Sequence, residues 1–165
     1  MVPAPGAGDL VREFRLQHDP SAAAGVPPHL TLMFPFLPPA DLTTPKIDDL
    51  ERLIKRAKPF DYGLTRVSEF EQGVVYLAPE PAAPFVALTR EIGRHFGLLP
   101  FGGEFGEEPV AHLTVAVQAS PSLRKQIGDK LGPALPIPLH AVEAWLMAGS
   151  HEAGWKVIRR MRLGG

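Results

Sequence analysis

PPHLTLMFPF at residues 27–36 and VAHLTVAV at residues 110–117 share the pattern His-Leu-Thr followed by an aliphatic residue. In a strand, residues i and i+2 point to the same face, so each histidine shares a face with its threonine. The aliphatic residues between and after them then point into a core. The repeat therefore predicts two strands, each of which presents a His–Thr pair on one side.

The elements around the two motifs also repeat in order. In the first half, we predict a helix over 7–17, a strand HLTLMFPF, a helix in TTPKIDDLERLIKRAKP with Thr44 as N-cap, and a hairpin of FDYGLTRVSEF and GVVYLAP. In the second half, we predict a helix in PFVALTREIGRHF, a strand VAHLTVAV, a helix capped by Ser120, and the strands IPLHAVEAWLMAG and WKVIRRMRL.

This repeat of architecture predicts one domain over residues 1–165 with two lobes, approximately 7–78 and 84–163. A pseudo-twofold axis between the lobes would bring His29 and His112 together, although 83 residues separate them in the chain. We therefore expect both motifs to face one site.

Composition limits the class of protein. A chain of 165 residues can bury a sizeable core, and no apolar run approaches the roughly 20 residues that span a bilayer. Lys and Arg total 17 against 18 Asp and Glu, which argues against a broad basic face for a long duplex and favours a small or short substrate. There is no cysteine, and residues 1–20 lack the pattern of a signal peptide, so we expect a cytoplasmic protein without a membrane partner.

The four repeated polar residues have a chemistry in common. The imidazoles of His29 and His112 and the hydroxyls of Thr31 and Thr114 can all donate hydrogen bonds to an anion with several oxygens, as in phosphate. Histidine titrates near neutral pH, so one ring can accept a proton while the other donates one. Phosphodiester cleavage needs that division between the attacking and the departing oxygen. The set contains no carboxylate and no ligand set for a metal.

HLTL and HLTV resemble the paired motif of the two-histidine phosphoesterase superfamily, whose best-known branch is the 2',5' RNA ligase-like proteins. The segments GVPPHLTLMFPFLPP, VVYLAPEPAAPFVAL, PFGGEFGEEPVAHLTVA and GWKVIRRMRLG are also similar to that group, so the resemblance covers nearly the whole chain. It implies an α+β fold of two lobes, with two antiparallel sheets lining a central cleft and helices packed outside. Such proteins begin with a strand before the first helix. Here only Met-Val-Pro precedes it, so the opening strand is either short or trimmed.

The resemblance also implies the roles of the motif residues. His29 and His112 become a general acid/base pair, and Thr31 and Thr114 become phosphate ligands, with neither a metal nor another cofactor. For hydrolysis of a cyclic phosphate we expect His112 to activate water and His29 to protonate the leaving oxygen. Ligation is the reverse reaction and exchanges these roles.

Three functions are compatible with the sequence. The first is a phosphodiesterase, or an RNA ligase in reverse, that acts as a monomer on nucleotides or short RNA ends with a 2',3'-cyclic or 2',5'-linked phosphate. The second is a nucleotide- or RNA-binding module with the same pocket and no turnover. The third, a metal hydrolase with scattered histidines, is weaker because the ligand spacing for a metal is missing.

Other residues carry less specific signals. In FGGEFGEEP, residues 101–109, Phe101 and Phe105 belong either to a lip that stacks on a base or to a plain connector. We expect Phe34 and Phe36 to pack in the core. The remaining histidines lie in contexts without a counterpart, which favours surface or loop positions for His18, His95, His140 and His151.

Overall fold

The computed structural model describes residues 1–104, 106 and 108–164. The helices are α1 (Gly8–His18), α2 (Pro20–Ala23), α3 (Thr44–Arg56), α4 (Ala83–Phe96) and α5 (Pro121–Leu131). The strands are β1 (Val2–Pro3), β2 (His29–Leu30), β3 (Phe60–Glu69), β4 (Val75–Glu80), β5 (Leu113–Ala116), β6 (Ile137–Ala141), β7 (Glu143–Ser150) and β8 (Gly154–Arg162). The fold is of the α+β class, with antiparallel sheets as predicted.

One sheet contains the strand that follows His112. Its order is β5-β4-β3-β6, and all neighbours are antiparallel. The predicted hairpin of β3 and β4 forms its centre. Thr114 on β5 lies opposite Tyr76 on β4, directly after a register shift at Val75. Because paired residues share a face, Thr114 and Tyr76 point to the same side of this sheet.

A second layer contains His29. The short strand β1 pairs with β2, and β7 pairs with β8. Met1 and Trp145 join these two pairs by exchanging backbone hydrogen bonds: the Trp145 N–H donates to the Met1 carbonyl at 2.7 Å, and the Met1 amine donates to the Trp145 carbonyl at 3.0 Å. The strands thus lie in the order β2-β1-β7-β8. We call this the His29 sheet.

The helices bury their apolar faces against these sheets. Phe85 of α4 is almost fully buried, and its ring meets those of Phe60 and Tyr62 on β3 edge-on, with centroids 5.0 and 4.9 Å apart. Burying one such ring is worth about 1.5–3 kcal/mol. Helix α3 packs on β8, where Arg159 donates to Glu51 at 2.6 Å. Helix α1 contacts β5 and α5.

Three element boundaries differ from the prediction. The strand predicted over residues 29–36 ends at Leu30, as its partner β1 is only two residues long. Its predicted far end is not a strand either, because Pro35 has no N–H to donate and the Phe34 carbonyl accepts the Phe101 N–H at 2.6 Å. The single strand predicted in IPLHAVEAWLMAG is two strands, which separate at Val142 and enter different sheets. Helix α3 already includes Thr44, and the capping position belongs to Thr43, whose backbone is extended.

Strand pairing crosses the predicted boundary between the lobes 7–78 and 84–163. Strands β3 and β4 from the first part pair with β6 and β5 from the second, and β7 from the second part joins β1. The two sheets are therefore built by exchange between the two parts of the sequence. A short opening strand is present at Val2–Pro3. Within the described residues, no helix has the length and apolar character needed to cross a membrane.

Candidate active site

His29 lies at the start of β2, directly after two prolines that limit the backbone. The N–H of Ala4 donates to the Pro28 carbonyl at 2.8 Å and fastens this segment beside β1. The Nδ1 of His29 lies 2.8 Å from the Pro27 carbonyl oxygen, and its Nε2 lies 3.1 Å from the hydroxyl oxygen of Thr31. The ring is thus held at both nitrogens.

His112 has the same local arrangement just before β5. Its Nδ1 lies 2.7 Å from the Val110 carbonyl oxygen, again two residues earlier in the chain. The ring packs against Phe70 and Tyr76, with centroids 5.1 and 5.6 Å away, and these two aromatic rings are stacked on each other at 4.4 Å. Sequence reasoning missed this support, because Phe70 and Tyr76 have the pattern of ordinary hairpin residues.

The two carbonyl contacts determine the tautomer of each histidine. A carbonyl oxygen only accepts, so Nδ1 carries the hydrogen in both His29 and His112. In the neutral rings Nε2 is then the acceptor, and in His29 it accepts the Thr31 hydroxyl. Burial lowers the pKa of His29 to about 4 and also lowers the pKa of His112, in each case against the effect of the backbone hydrogen bond. Both rings are therefore neutral at pH 7 and can accept a proton at Nε2.

All four motif residues line one cavity of about 390 Å³. It lies where β2 and β5 come close together, so His29 and Thr31 enter from one sheet while His112 and Thr114 enter from the other. Two bases and two hydroxyls thus meet around one space large enough for a nucleotide. No described group of three or more histidine, aspartate or glutamate side chains is arranged to hold a metal ion.

Aromatic side chains line one end of the cavity. Phe34 is 45% exposed, and its centroid lies 6.2 Å from that of Phe101 and 6.0 Å from that of Trp155. His151 lies 6.5 Å from Trp155. We call Phe34, Phe101, Trp155 and His151 the aromatic rim. The expectation of core packing holds for Phe36, which packs on Phe96 at 4.9 Å, and is wrong for Phe34.

Phe101 and Phe105 were the two residues predicted for a lip that stacks on a base. Phe101 lies in a short 3₁₀ segment, Pro100–Gly103, and lines the cavity. Phe105 lies outside the described residues. Among the histidines expected on the surface, His151 is exposed and also lines the cavity, which its sequence context did not indicate.

A buried ion pair lies behind His29. Arg15 of α1 donates from Nε and Nη2 to one carboxylate oxygen of Asp19, at 3.0 and 2.8 Å, and from Nη1 to the Val26 carbonyl at 3.3 Å. The other Asp19 oxygen accepts from the backbone and hydroxyl of Ser21. This network ties helix α1 to the segment that precedes His29. Sequence reasoning missed it, because Arg15 and Asp19 look like an ordinary i, i+4 surface pair.

Sequence comparison identifies a family and individual relatives of this chain. A model described as the 2'-5' RNA ligase superfamily matches residues 2–152. A candidate phosphoesterase of Bacillus licheniformis is 30% identical over 122 residues, which cover 73% of this chain and 69% of that protein. Another, of Bacillus cytotoxicus, is 29% identical over 125 residues, which cover 74% and 70%.

Solved structures share the fold. Escherichia coli LigT complexed with 3'-AMP superposes with a TM-score of 0.64 at 20% identity, over 98% of this chain and 94% of that chain. A Thermus thermophilus protein superposes with a TM-score of 0.60 at 17% identity, over 99% and 96%. The family model covers most of the chain, including both His-Leu-Thr motifs, and this protein belongs to the 2'-5' RNA ligase superfamily.

Proposed function

We propose that the protein is a phosphodiesterase that opens 2',3'-cyclic phosphates, or cleaves 2',5' linkages, at nucleotide or short RNA ends without a metal ion. The observation that carries the proposal is the matched pair of histidines: both rings have Nδ1 bound to a carbonyl two residues earlier, and both line the cavity that Thr31 and Thr114 line. The names of the relatives, all phosphoesterases, support the reaction class. LigT complexed with 3'-AMP supports a nucleotide as ligand.

The proposed reaction is a displacement at phosphorus. A water molecule loses a proton to Nε2 of His112 while its oxygen bonds to phosphorus. The bond from phosphorus to one ribose oxygen breaks, and Nε2–H of His29 gives that oxygen a proton. The hydroxyls of Thr31 and Thr114 donate to the non-bridging oxygens. Because both rings are neutral in the free protein, His29 has to gain its proton with the substrate, whose negative charge stabilises the imidazolium.

The aromatic rim supplies a surface for the base of the terminal nucleotide. Phe34 is exposed, and Phe101 lies beside it at the cavity. Stacking on aromatic rings tolerates any base, which suits an enzyme that recognises the phosphate rather than the sequence. The phosphate and this stacked base together define a nucleotide-sized substrate. We expect the protein to act in the cytoplasm as a monomer.

The test is turnover of a panel of 2',3'-cyclic mononucleotides and 2',5'-linked dinucleotides in EDTA. General acid and base catalysis each contribute about 10²–10⁴-fold, so His29→Ala and His112→Ala should each lose activity by that order. His140→Ala is the matched control, because His140 is exposed on β6 and pairs with Asp61 instead of lining the cavity. Loss of the parent's activity in EDTA would contradict the metal-free mechanism.

The same variants assign the acid and the base. Product analysis first identifies the ribose oxygen that leaves. A second substrate then carries sulfur in place of that oxygen, because a thiolate leaves without being protonated by an acid. His29→Ala should recover most activity on the sulfur substrate, whereas His112→Ala should not. The reverse pattern would exchange the two roles. Retained nucleotide binding with no turnover of any substrate would favour the binding module instead.

A further inference from the structure

The His29 sheet presents one continuous face to the cleft. Pro3 lies opposite His29, and Trp145 lies opposite Arg160, while Met1 exchanges backbone hydrogen bonds with Trp145. Since paired residues and residues two apart share a face, these five side chains lie on the same side of the sheet.

The opposite face confirms this arrangement. Val2, Leu30, Ala144 and Met161 alternate with the residues above and are all buried. Arg159, which precedes Arg160, points to that side and pairs with Glu51 of α3. Helix α3 thus covers one face, and the face with His29 and Arg160 is left for the cleft.

Arg160 is held in a defined position on this face. Its guanidinium carbon lies 4.6 Å from the ring centroid of Trp145, a cation–π contact. The indole is itself fixed, because its N–H donates to the Glu143 carboxylate at 2.6 Å. A guanidinium stacked on a fixed ring keeps its plane and leaves its N–H edge free for a planar or tetrahedral anion.

Within the described part of the chain Arg160 forms no ion pair, and the nearby Glu143 carboxylate is occupied by the indole N–H of Trp145. Arg160 is exposed, and no ion pair among the described residues uses it or its strand neighbour Arg162. Three strand spacings separate β2 from β8, so the backbone at Arg160 lies about 14 Å from that of the phosphate-binding Thr31. Trp145 lines the cavity that contains the histidines, whereas Arg160 does not. A neighbouring phosphate of a short oligonucleotide is therefore better placed to meet the guanidinium than the phosphate held at the histidines.

We propose that Trp145 and Arg160 form a second phosphate subsite, which binds a backbone phosphate upstream of the reacting end, so that the preferred substrate is an oligoribonucleotide end rather than a free nucleotide. This inference rests on the proposed function. Arg162 continues the subsite along β8. The alternative is that Arg160 and Arg162 only prevent the edge strand β8 from pairing with other chains. That role predicts that activity does not depend on substrate length.

The experiment compares kcat/KM for a 2',3'-cyclic mononucleotide with that for oligoribonucleotides of two to six residues that end in the same cyclic phosphate. The parent should prefer the oligomers. Arg160→Gln should lower kcat/KM about tenfold for the oligomers and much less for the mononucleotide. For the oligomers, the plot of log kcat/KM against log salt concentration should also be less steep for Arg160→Gln than for the parent. The expected difference in slope is about 0.7, the value for one lost phosphate contact to a single strand.

Lys156→Gln is the matched control. Lys156 is an exposed cation on the same strand, but it lies opposite Ala148 and so points to the other face. It should leave the length preference unchanged. No cleavage of the mononucleotide by the parent would contradict the proposed function itself. Cleavage without length dependence, or an equal loss on all substrates in Arg160→Gln, would overturn the subsite alone.

Discussion

The carbonyl oxygens of Pro27 and Val110 decide which nitrogen of each motif histidine carries the hydrogen. Each oxygen accepts Nδ1–H, at 2.8 and 2.7 Å, and so leaves Nε2 as the acceptor nitrogen of the neutral ring. Strand alternation in the sequence predicted that each histidine shares a face with its threonine, and the Nε2 of His29 lies 3.1 Å from the hydroxyl oxygen of Thr31. It could not indicate the carbonyl contacts, since these depend on the backbone turn before each strand.

At this scale, the low pKa of His29 predicts a pH-dependent stability. Burial lowers that pKa from 6.5 to about 4, so the unfolded chain binds the proton more readily than the folded one. Above pH 6.5 the ring is neutral in both states and costs no stability. As the pH falls from 6.5 towards 4, the unfolded chain binds the proton first, and the free energy of unfolding decreases. With each pKa unit worth about 1.4 kcal/mol, we expect a loss on the order of 3 kcal/mol.

Urea unfolding between pH 4 and 8 checks this prediction against His29→Gln, which has no titrating ring. The stability of the parent relative to His29→Gln should decline below pH 6.5. A constant difference across the range would mean that His29 is as easily protonated in the folded protein as in the unfolded chain.

Helix α1 connects the two halves of the site. At its C-terminal end, the His18 carbonyl accepts the N–H of Val117, just beyond the second motif. Arg15 and Asp19 hold the segment before the first motif, and both side chains are almost fully buried. A buried pair that loses one partner leaves an uncompensated charge, which costs about 3–5 kcal/mol.

We therefore expect Arg15→Met to lower the free energy of unfolding by about 3–5 kcal/mol, and Asp19→Leu to have a similar effect. The double variant should be much less destabilised than the sum of the two, because no charge is left unpaired. A double-mutant cycle in urea measures this coupling. Additive losses would show that the two residues act separately and that the ion pair is not what fastens the segment.

Sequence patterns located the helices well and the strands less well. The apolar spacing in α3 and α4 and the Ser120 cap of α5 were sufficient for these helices, because their periodicity is local. The short β2 and the break at Val142 depend instead on which distant segment supplies the hydrogen bonds. Of the aromatic rim, Phe101 was a candidate from the sequence, whereas Phe34 and Trp155 were missed for the same reason, since they are far apart in the chain.

At the scale of the whole molecule, the exchange of strands between the sheets determines what can fold alone. The hairpin of β3 and β4 lies between β5 and β6 in one sheet, and β1 lies between β2 and β7 in the other. The sequence repeat suggested lobes that follow the chain. It could not show the exchange, because order along the chain does not specify strand pairing.

Fragments 1–81 and 82–165 should therefore be largely unfolded when produced separately, since each exposes sheet edges and core residues that the other covers. Circular dichroism and proton–nitrogen NMR spectra of the separate fragments and of their mixture test this. Cooperative unfolding of either fragment by itself would instead indicate lobes that are independent folding units.

The contact between Met1 and Trp145 has a consequence for synthesis on the ribosome. Strands β1 and β2 emerge early, yet the strand that completes their sheet, β7, emerges more than a hundred residues later. Until then Val2 and Leu30, both fully buried in the finished protein, have no apolar cover on that side of the nascent chain. His29 therefore reaches its folded position only after β7 has been synthesised, so a product truncated before β7 carries the first motif without its complete sheet.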